Sequence, residues 1–170
     1  MPGVHIESAK MKKAPFTIEV AVVRPNNTTK YSPLDAIAES ATSPKAIEFN
    51  CENAPQGAIL TIESAELMRT GTSTDYFELW LFSKDVAATN DNEQLNINMN
   101  DNLFGTGGII DFADERKAGN GLRYCTTLAP GFKVQIKNGS RKFYGLLRSM
   151  SGHPPLRDEI YLISLKGFVG

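Results

Sequence analysis

Polar and apolar residues alternate with a period of two along most of this chain, and almost nowhere with the longer period of an amphipathic helix. The run Phe16-Thr17-Ile18-Glu19-Val20-Ala21-Val22-Val23 places Phe16, Ile18, Val20 and Val22 on one face, as a half-buried strand requires. Arg24-Pro25-Asn26-Asn27 ends it. Residues 31–38 and Ala46-Ile47-Glu48-Phe49-Asn50-Cys51 read as two short strands separated by the Ser43-Pro44 break. Within residues 57–70 the alternation begins with Leu60 and Ile62 but resumes with Ala65 and Leu67. Its phase therefore changes near Glu63 and Ser64, as a β-bulge would make it. Tyr76-Phe77-Glu78-Leu79-Trp80-Leu81-Phe82 is apolar on both faces, the pattern of a central strand covered on each side or spanning a subunit contact.

Residues 83–106 turn polar, with Asn90-Asp91-Asn92-Glu93 and then Asn96, Asn98, Asn100 and Asn102, which predicts an excursion loop. Strand patterns resume at Ile109-Ile110-Asp111-Phe112, residues 122–127, Phe132-Lys133-Val134-Gln135-Ile136, residues 142–150 and residues 159–168. Asn138-Gly139 between two alternating runs predicts a hairpin, and Gly152-His153-Pro154-Pro155 a further turn. The best helical competitor, Leu34-Asp35-Ala36-Ile37-Ala38-Glu39-Ser40, is crowded by Pro33 and Pro44 and has no second helix to pack on. The pattern predicts an all-β fold: a single-domain, jelly-roll-like β-sandwich of about 8–10 strands over residues 16–170. Residues 1–15, with Lys10, Lys12 and Lys13 and little to anchor them in a core, predict an arm that orders on a neighbour.

Composition narrows the classes further. With 170 residues, 41% hydrophobic and 22% charged, the chain can bury one core without staples and has no signature of disorder. A formal net charge of −1 argues against a nucleic-acid backbone as the main partner, which calls for clustered Lys and Arg. Residues 1–112 hold 8 basic and 15 acidic side chains, and residues 113–170 hold 10 and 4, but a sandwich interleaves the two halves. Cys51 and Cys125 have no metal-ligand spacing and read as reduced thiols, although spacing alone leaves a single bridge open. Met1-Pro2-Gly3-Val4-His5-Ile6-Glu7 lacks the basic and apolar segments of a secretory signal, and no apolar run approaches the length of about 18 residues that a membrane span needs. The expected place of synthesis is the cytoplasm, with no membrane partner.

Few residues carry recognisable chemistry. The only candidate imidazole bases are His5, in the N-terminal segment, and His153, beside two prolines where a solvated turn residue is expected. Asp111 with Asp114, or Asp91 with Glu93, are the carboxylate pairs that a glycan hydrolase would need. Phe104-Gly105-Thr106-Gly107-Gly108 lacks the Gly-Lys-Ser/Thr ending of a phosphate loop, and the Asn- and Asp-rich segment lacks the ligand spacing of a calcium loop. Asn26-Asn27-Thr28-Thr29 and Asn138-Gly139-Ser140 match glycosylation acceptors but read as turns. Lys142-Phe143-Tyr144 with Arg148 is the nearest approach to a nucleic-acid-stacking face, with core packing of Phe143 the stronger reading. No catalytic, cofactor-binding or metal-binding residue is assigned, and the chain is expected to act through its surface rather than as an enzyme.

Several segments together carry a resemblance: Tyr31 to Ile37 with its Asp35-Ala36-Ile37, Ser64-Ala65-Glu66-Leu67, Phe77-Glu78-Leu79-Trp80-Leu81-Phe82, the loop with Asp91-Asn92, Gly107-Gly108-Ile109-Ile110-Asp111-Phe112, and Phe143-Tyr144-Gly145-Leu146-Leu147. In this order they resemble a group of small virion structural proteins of tailed phages, over about residues 30–168. Phe143-Tyr144 stands where that group more often has Leu-Tyr, and Arg148-Ser149-Met150 where a Val-rich end is common. The resemblance implies a β-sandwich on the capsid surface of the virion, of the head decoration or cement type. The implied partners are the major capsid protein and further copies of the chain itself, often as a homotrimer. A tail, baseplate or fibre-associated adhesin that binds a host glycan is the alternative, and a glycan hydrolase a third.

Overall fold

The computed structural model describes residues 13–97 and 108–170, and over them the chain is all β, with no helix. The alternating run at the N-terminal side forms β1 (Ala14–Val23), followed by β2 (Ala36–Ile37), β3 (Ile47–Asn50), β4 (Ile59–Thr70) and β5 (Phe77–Phe82). Then come β6 (Ile109–Phe112), β7 (Arg116–Gly119), β8 (Leu122–Gln135), β9 (Lys142–Ser149) and β10 (Ile160–Val169). One antiparallel sheet has the order β1-β10-β4-β8-β7. The second has the order β2-β9-β5-β6, with β3 pairing β9 beside β2. The chain passes from sheet to sheet at every connection except β2–β3, β5–β6 and β7–β8, and this order of strands is that of a jelly roll, with β2 and β3 sharing one position and β7 added at the edge next to β8.

Period-two patterning builds the core directly. Ile18 and Val22 of β1, Tyr161, Ile163 and Leu165 of β10, and Leu60, Ile62, Ala65 and Leu67 of β4 face inward from the larger sheet. Phe49, Phe77, Leu79, Leu81, Ile110, Phe112, Phe143 and Leu147 meet them from the other. Phe49 and Phe143 stack with ring centroids 4.9 Å apart, which settles Phe143 as a core residue. β5 is central in its sheet, between β9 and β6. Its outward side, however, is only half covered: Arg148 lies 4.9 Å from the Trp80 ring, and the indole N–H donates to Glu78 at 3.0 Å.

The phase change in β4 is a bulge at Glu63. Ser64 pairs Lys166 while Ile62 pairs Gly167, and toward β8 the register jumps from Phe132 opposite Ile62 to Leu128 opposite Ser64. The strand backbones come so close there that a Cβ on Gly167 would stand 1.9 Å from the Thr61 carbonyl oxygen.

Several sequence expectations change. Only Ala36–Ile37 of residues 31–38 is strand, because Leu34 takes a left-handed conformation (φ 74°) and turns the chain. Residues 122–127 and 132–136 belong largely to one long strand, β8, continuous across the bulge. β7 was invisible: its Arg116-Lys117-Ala118-Gly119 is wholly exposed and has no apolar face to reveal it. Asn138-Gly139 does form a turn, with Gly139 at φ 82° and Ser140 N–H donating to Lys137 O at 3.0 Å. It does not close a hairpin, because β8 and β9 lie in different sheets. Residues 83–97 are no excursion: Gln94 bridges to Asp35, Ala36 N–H donates to Glu93 O at 2.8 Å, and Leu95 N–H to Leu34 O at 2.9 Å. Leu95 and Ile97 pack on the core. Of the expected arm, Ala14 and Pro15 belong to β1, opposite Val169 and Phe168, and residues 1–12 lie outside the described residues.

Gly167→Ala is expected to destabilise the fold by about 3 kcal/mol, since the obstructing atom is backbone. Gly170→Ala, whose nearest neighbour is Ile59 O at 3.9 Å, is expected to change stability by less than about 0.5 kcal/mol. Urea midpoints of the two variants check this contrast.

Candidate functional site

At the end of the sandwich where β1, β4 and β9 finish and β5, β8 and β10 begin, the inward-facing positions stop being apolar. Arg24 continues the buried phase of Val22, Arg69 that of Ala65 and Leu67, and Arg123 that of Cys125. All three guanidinium side chains thus enter the interior, where an unpaired charge is costly and must be neutralised by partners.

Arg69 uses its whole planar fork. Nε and one terminal nitrogen bond Glu115 at 2.6 and 2.9 Å, the other terminal nitrogen bonds Glu159 at 2.5 Å, and a further bond goes to the Ser73 carbonyl. The guanidinium also covers the Phe77 ring at 5.2 Å. Arg24 donates to Asp91 at 2.9 Å, to Tyr31 Oη at 2.9 Å and to the Asn27 carbonyl and side-chain oxygens at 2.7 and 3.0 Å. Tyr31 in turn donates to Asp91 at 2.5 Å, and Ala38 N–H donates to the same carboxylate at 3.2 Å. Burial opposes the charge on both arginines, yet their acidic partners outweigh it and hold both pKa values above the ordinary one.

His153 joins the two clusters. Its Nδ1 is 2.7 Å from Asp75, and its Nε2 is 3.0 Å from Tyr161 Oη and 3.6 Å from Glu159. The ring is boxed by Tyr31, Phe77 and Tyr161 at centroid distances of 5.1, 5.7 and 6.5 Å. Burial works against the imidazolium, but the bonds to Asp75 and Glu159 prevail and raise its pKa. Asp75 also accepts from the Ser149 and Ser151 hydroxyls and from Ser151 N–H at 2.9 Å. Burial alone would raise its pKa, whereas these donors and His153 bring it down to about 2. Burial lifts the Tyr161 phenol well above its ordinary range.

His153, Asp75, Glu159 and Tyr161 are each 0% exposed. The His–Asp pair has the composition of a catalytic dyad, but both imidazole nitrogens are occupied by protein groups and Ser149 bonds the carboxylate rather than the ring. What this arrangement does chemically is hold charge and orient the chain: it fixes the segments before β5, β7 and β10 and after β1, β4 and β9.

His153 is therefore not the solvated turn residue its neighbours Pro154 and Pro155 suggest, because the turn points it inward. His5 lies outside the described residues. Asp91 is buried against Arg24, whereas Glu93 is exposed and accepts from Asn90 at 3.1 Å, so the two do not act as a pair. Asp111 and Asp114 are both exposed, with Asp111 raised in pKa by partial burial and then by Glu78. Of residues 104–108 only Gly108 is described, and its carbonyl accepts from Leu81 N–H at 2.6 Å. Asn27 is engaged by Arg24 and Thr29, and Arg148 by Glu78 at 2.7 Å. Cys51 and Cys125 are buried free thiols whose pKa values burial raises. Among the described residues no group of His, Cys, Asp and Glu is placed to hold a metal ion. Two surface depressions, one lined by Asp114, Arg116, Tyr124 and Leu128 and one by Asn50, Asn53, Gln56 and Arg141, include no member of the buried network.

Arg24, Arg69, Asp75, Glu115, Glu159 and Tyr161 escaped the sequence reading. Their signal was there: a charged residue in the apolar phase at the end of a strand marks a buried charge in need of a partner. No protein-family model matches the chain, and neither a curated protein nor a solved structure matches it.

Two outcomes test the network. Asp91→Ala leaves Arg24 buried without its carboxylate and is expected to cost about 3–5 kcal/mol in urea unfolding. Because His153 has a raised folded pKa, its stabilisation is complete below the unfolded value of about 6.5 and is lost as pH climbs through the folded value. For Asp75, lowered to about 2 from 3.8, the contribution is complete above 3.8 and disappears as pH falls through 2. The melting temperature is accordingly expected to be highest between about pH 4 and 6.5 and to fall on the alkaline side. In His153→Gln that alkaline fall should flatten.

Proposed function

We propose that this chain is a virion structural protein of a tailed phage, a decoration or cement protein that stabilises the capsid lattice by binding the major capsid protein. The observation that carries this reading is the fate of the one cluster rich in ionisable groups among the described residues: it is withdrawn from solvent and paired with itself, leaving strand surfaces and loop edges to face the surroundings. Jelly-roll sandwiches recur in viral capsid proteins, which supports the reading by analogy of fold. The resembling segments also fall in order on β4, β5, β6 and β9, where they build the core. A cement protein acts by burying area at joints between capsomers, and many copies of a modest contact suffice to strengthen a shell.

Jelly rolls also occur in lectins, and the depression lined by Asn50, Asn53, Gln56 and Arg141 offers amides and a guanidinium suited to sugar hydroxyls. This favours the adhesin as the second reading. Asp91 cannot supply its contact, being closed off by Arg24 and Tyr31.

Mixing the purified chain with heads that lack it is expected to give saturable binding at lattice positions and a higher melting temperature of the shell. No binding to either compact or expanded heads would overturn the decoration reading. A sugar-array signal abolished by Asn53→Ala would establish the adhesin in its place.

A further inference from the structure

The outward face of the sheet β1-β10-β4-β8-β7 carries its own order, set by register. Val23 lies opposite Ile160, and Thr70 lies opposite Leu122 at the same end. One pleat further along, Ala21, Leu162, Met68 and Tyr124 stand in a single row across β1, β10, β4 and β8. The row ends on β7 with Arg116 opposite Tyr124. Val23, Met68 and Ile160 are 46, 36 and 42% exposed, so this apolar band has no layer over it. The next row is polar, with Glu19, Ser164, Glu66 and Thr126. Ser164 is 4% exposed and its hydroxyl has no hydrogen-bond partner. Neither Glu19 nor Arg116 makes an ion pair among the described residues.

We infer that a second copy of this chain packs on that face, as a two-fold dimer whose axis runs parallel to the strands and passes over β4. Such an axis reverses the order of strands while keeping each row in place, so the apolar band of one copy covers that of the other. β7 then lies over β1 of the second copy, and Arg116 comes down beside Ala21 within one pleat of Glu19. The charges at the two outer edges complement each other only between copies. Within one chain they sit on the outermost strands, about 19 Å apart at a strand spacing of about 4.8 Å. The five strands, from 4 residues in β7 to 14 in β8, together present roughly 800 Å², the area that each partner of a standard interface buries. The inference is independent of the particle reading, since it concerns only the chain with itself.

Sedimentation equilibrium of the full chain tests it. The wild type is expected to show a concentration-dependent monomer–dimer equilibrium, and Met68→Lys and Leu162→Glu each to shift it to monomer while retaining the wild-type circular dichroism. Arg116→Glu or Glu19→Arg alone should weaken dimerisation about tenfold, and the double reversal should restore it. A monomer at every concentration, an assembly other than a dimer, or a dimer that the double reversal leaves weakened would each overturn the inference.

Discussion

A guanidinium group in a protein interior imposes its demands in every direction, since it stays charged and its donors have fixed geometry. Arg69, 1% exposed, meets this demand by collecting Glu115, Glu159 and the Ser73 carbonyl around itself. Each partner lies on a different connection of the jelly roll, so the ion pairs fix loops that strand ladders do not reach. His153 extends the constraint through Asp75 and Tyr161, and the Tyr31 ring carries it to the Arg24–Asp91 pair. Replacing one partner leaves the others charged in a medium that penalises them, and for that reason the cluster behaves as a unit.

The strands were largely legible because burial imposes its period on the sequence. Ile18 and Val22, Leu60 and Ile62, and Ala65 and Leu67 announced both their faces and the bulge between the last two pairs. What alternation cannot specify is which strand lies beside which. Asn138-Gly139 has the residues of a hairpin turn in either case, and only the sheet assignment of β8 and β9 shows that it bridges the two layers. β7 buries nothing and left no pattern. Two members of the buried network, His153 and Asp91, carry the sequence signs of solvated turn residues. His153 next to Pro154 and Asp91 between two asparagines have the composition of exposed turns, and their partners are 78 and 67 residues away along the chain.

The segment from Ser83 to Ile97 shows how a polar sequence becomes part of a fold. It forms no strand, yet Asp91 fastens it to Arg24 and Tyr31, and Asn92 takes a left-handed conformation (φ 62°) that turns the chain back toward Ala36. Its order comes from these side chains together with single backbone bonds to residues 34–40 rather than from a regular ladder, which is why propensity alone described it as an excursion.

The pairing of Ala14 with Val169, at the far end of β1 and β10 from the pair Val23 and Ile160, has a practical consequence. Ala14 and Val169 thus lie side by side at one corner of the sandwich, remote from the charged end. A short bridge between these two positions would allow the chain to be reopened in another loop without crossing the core.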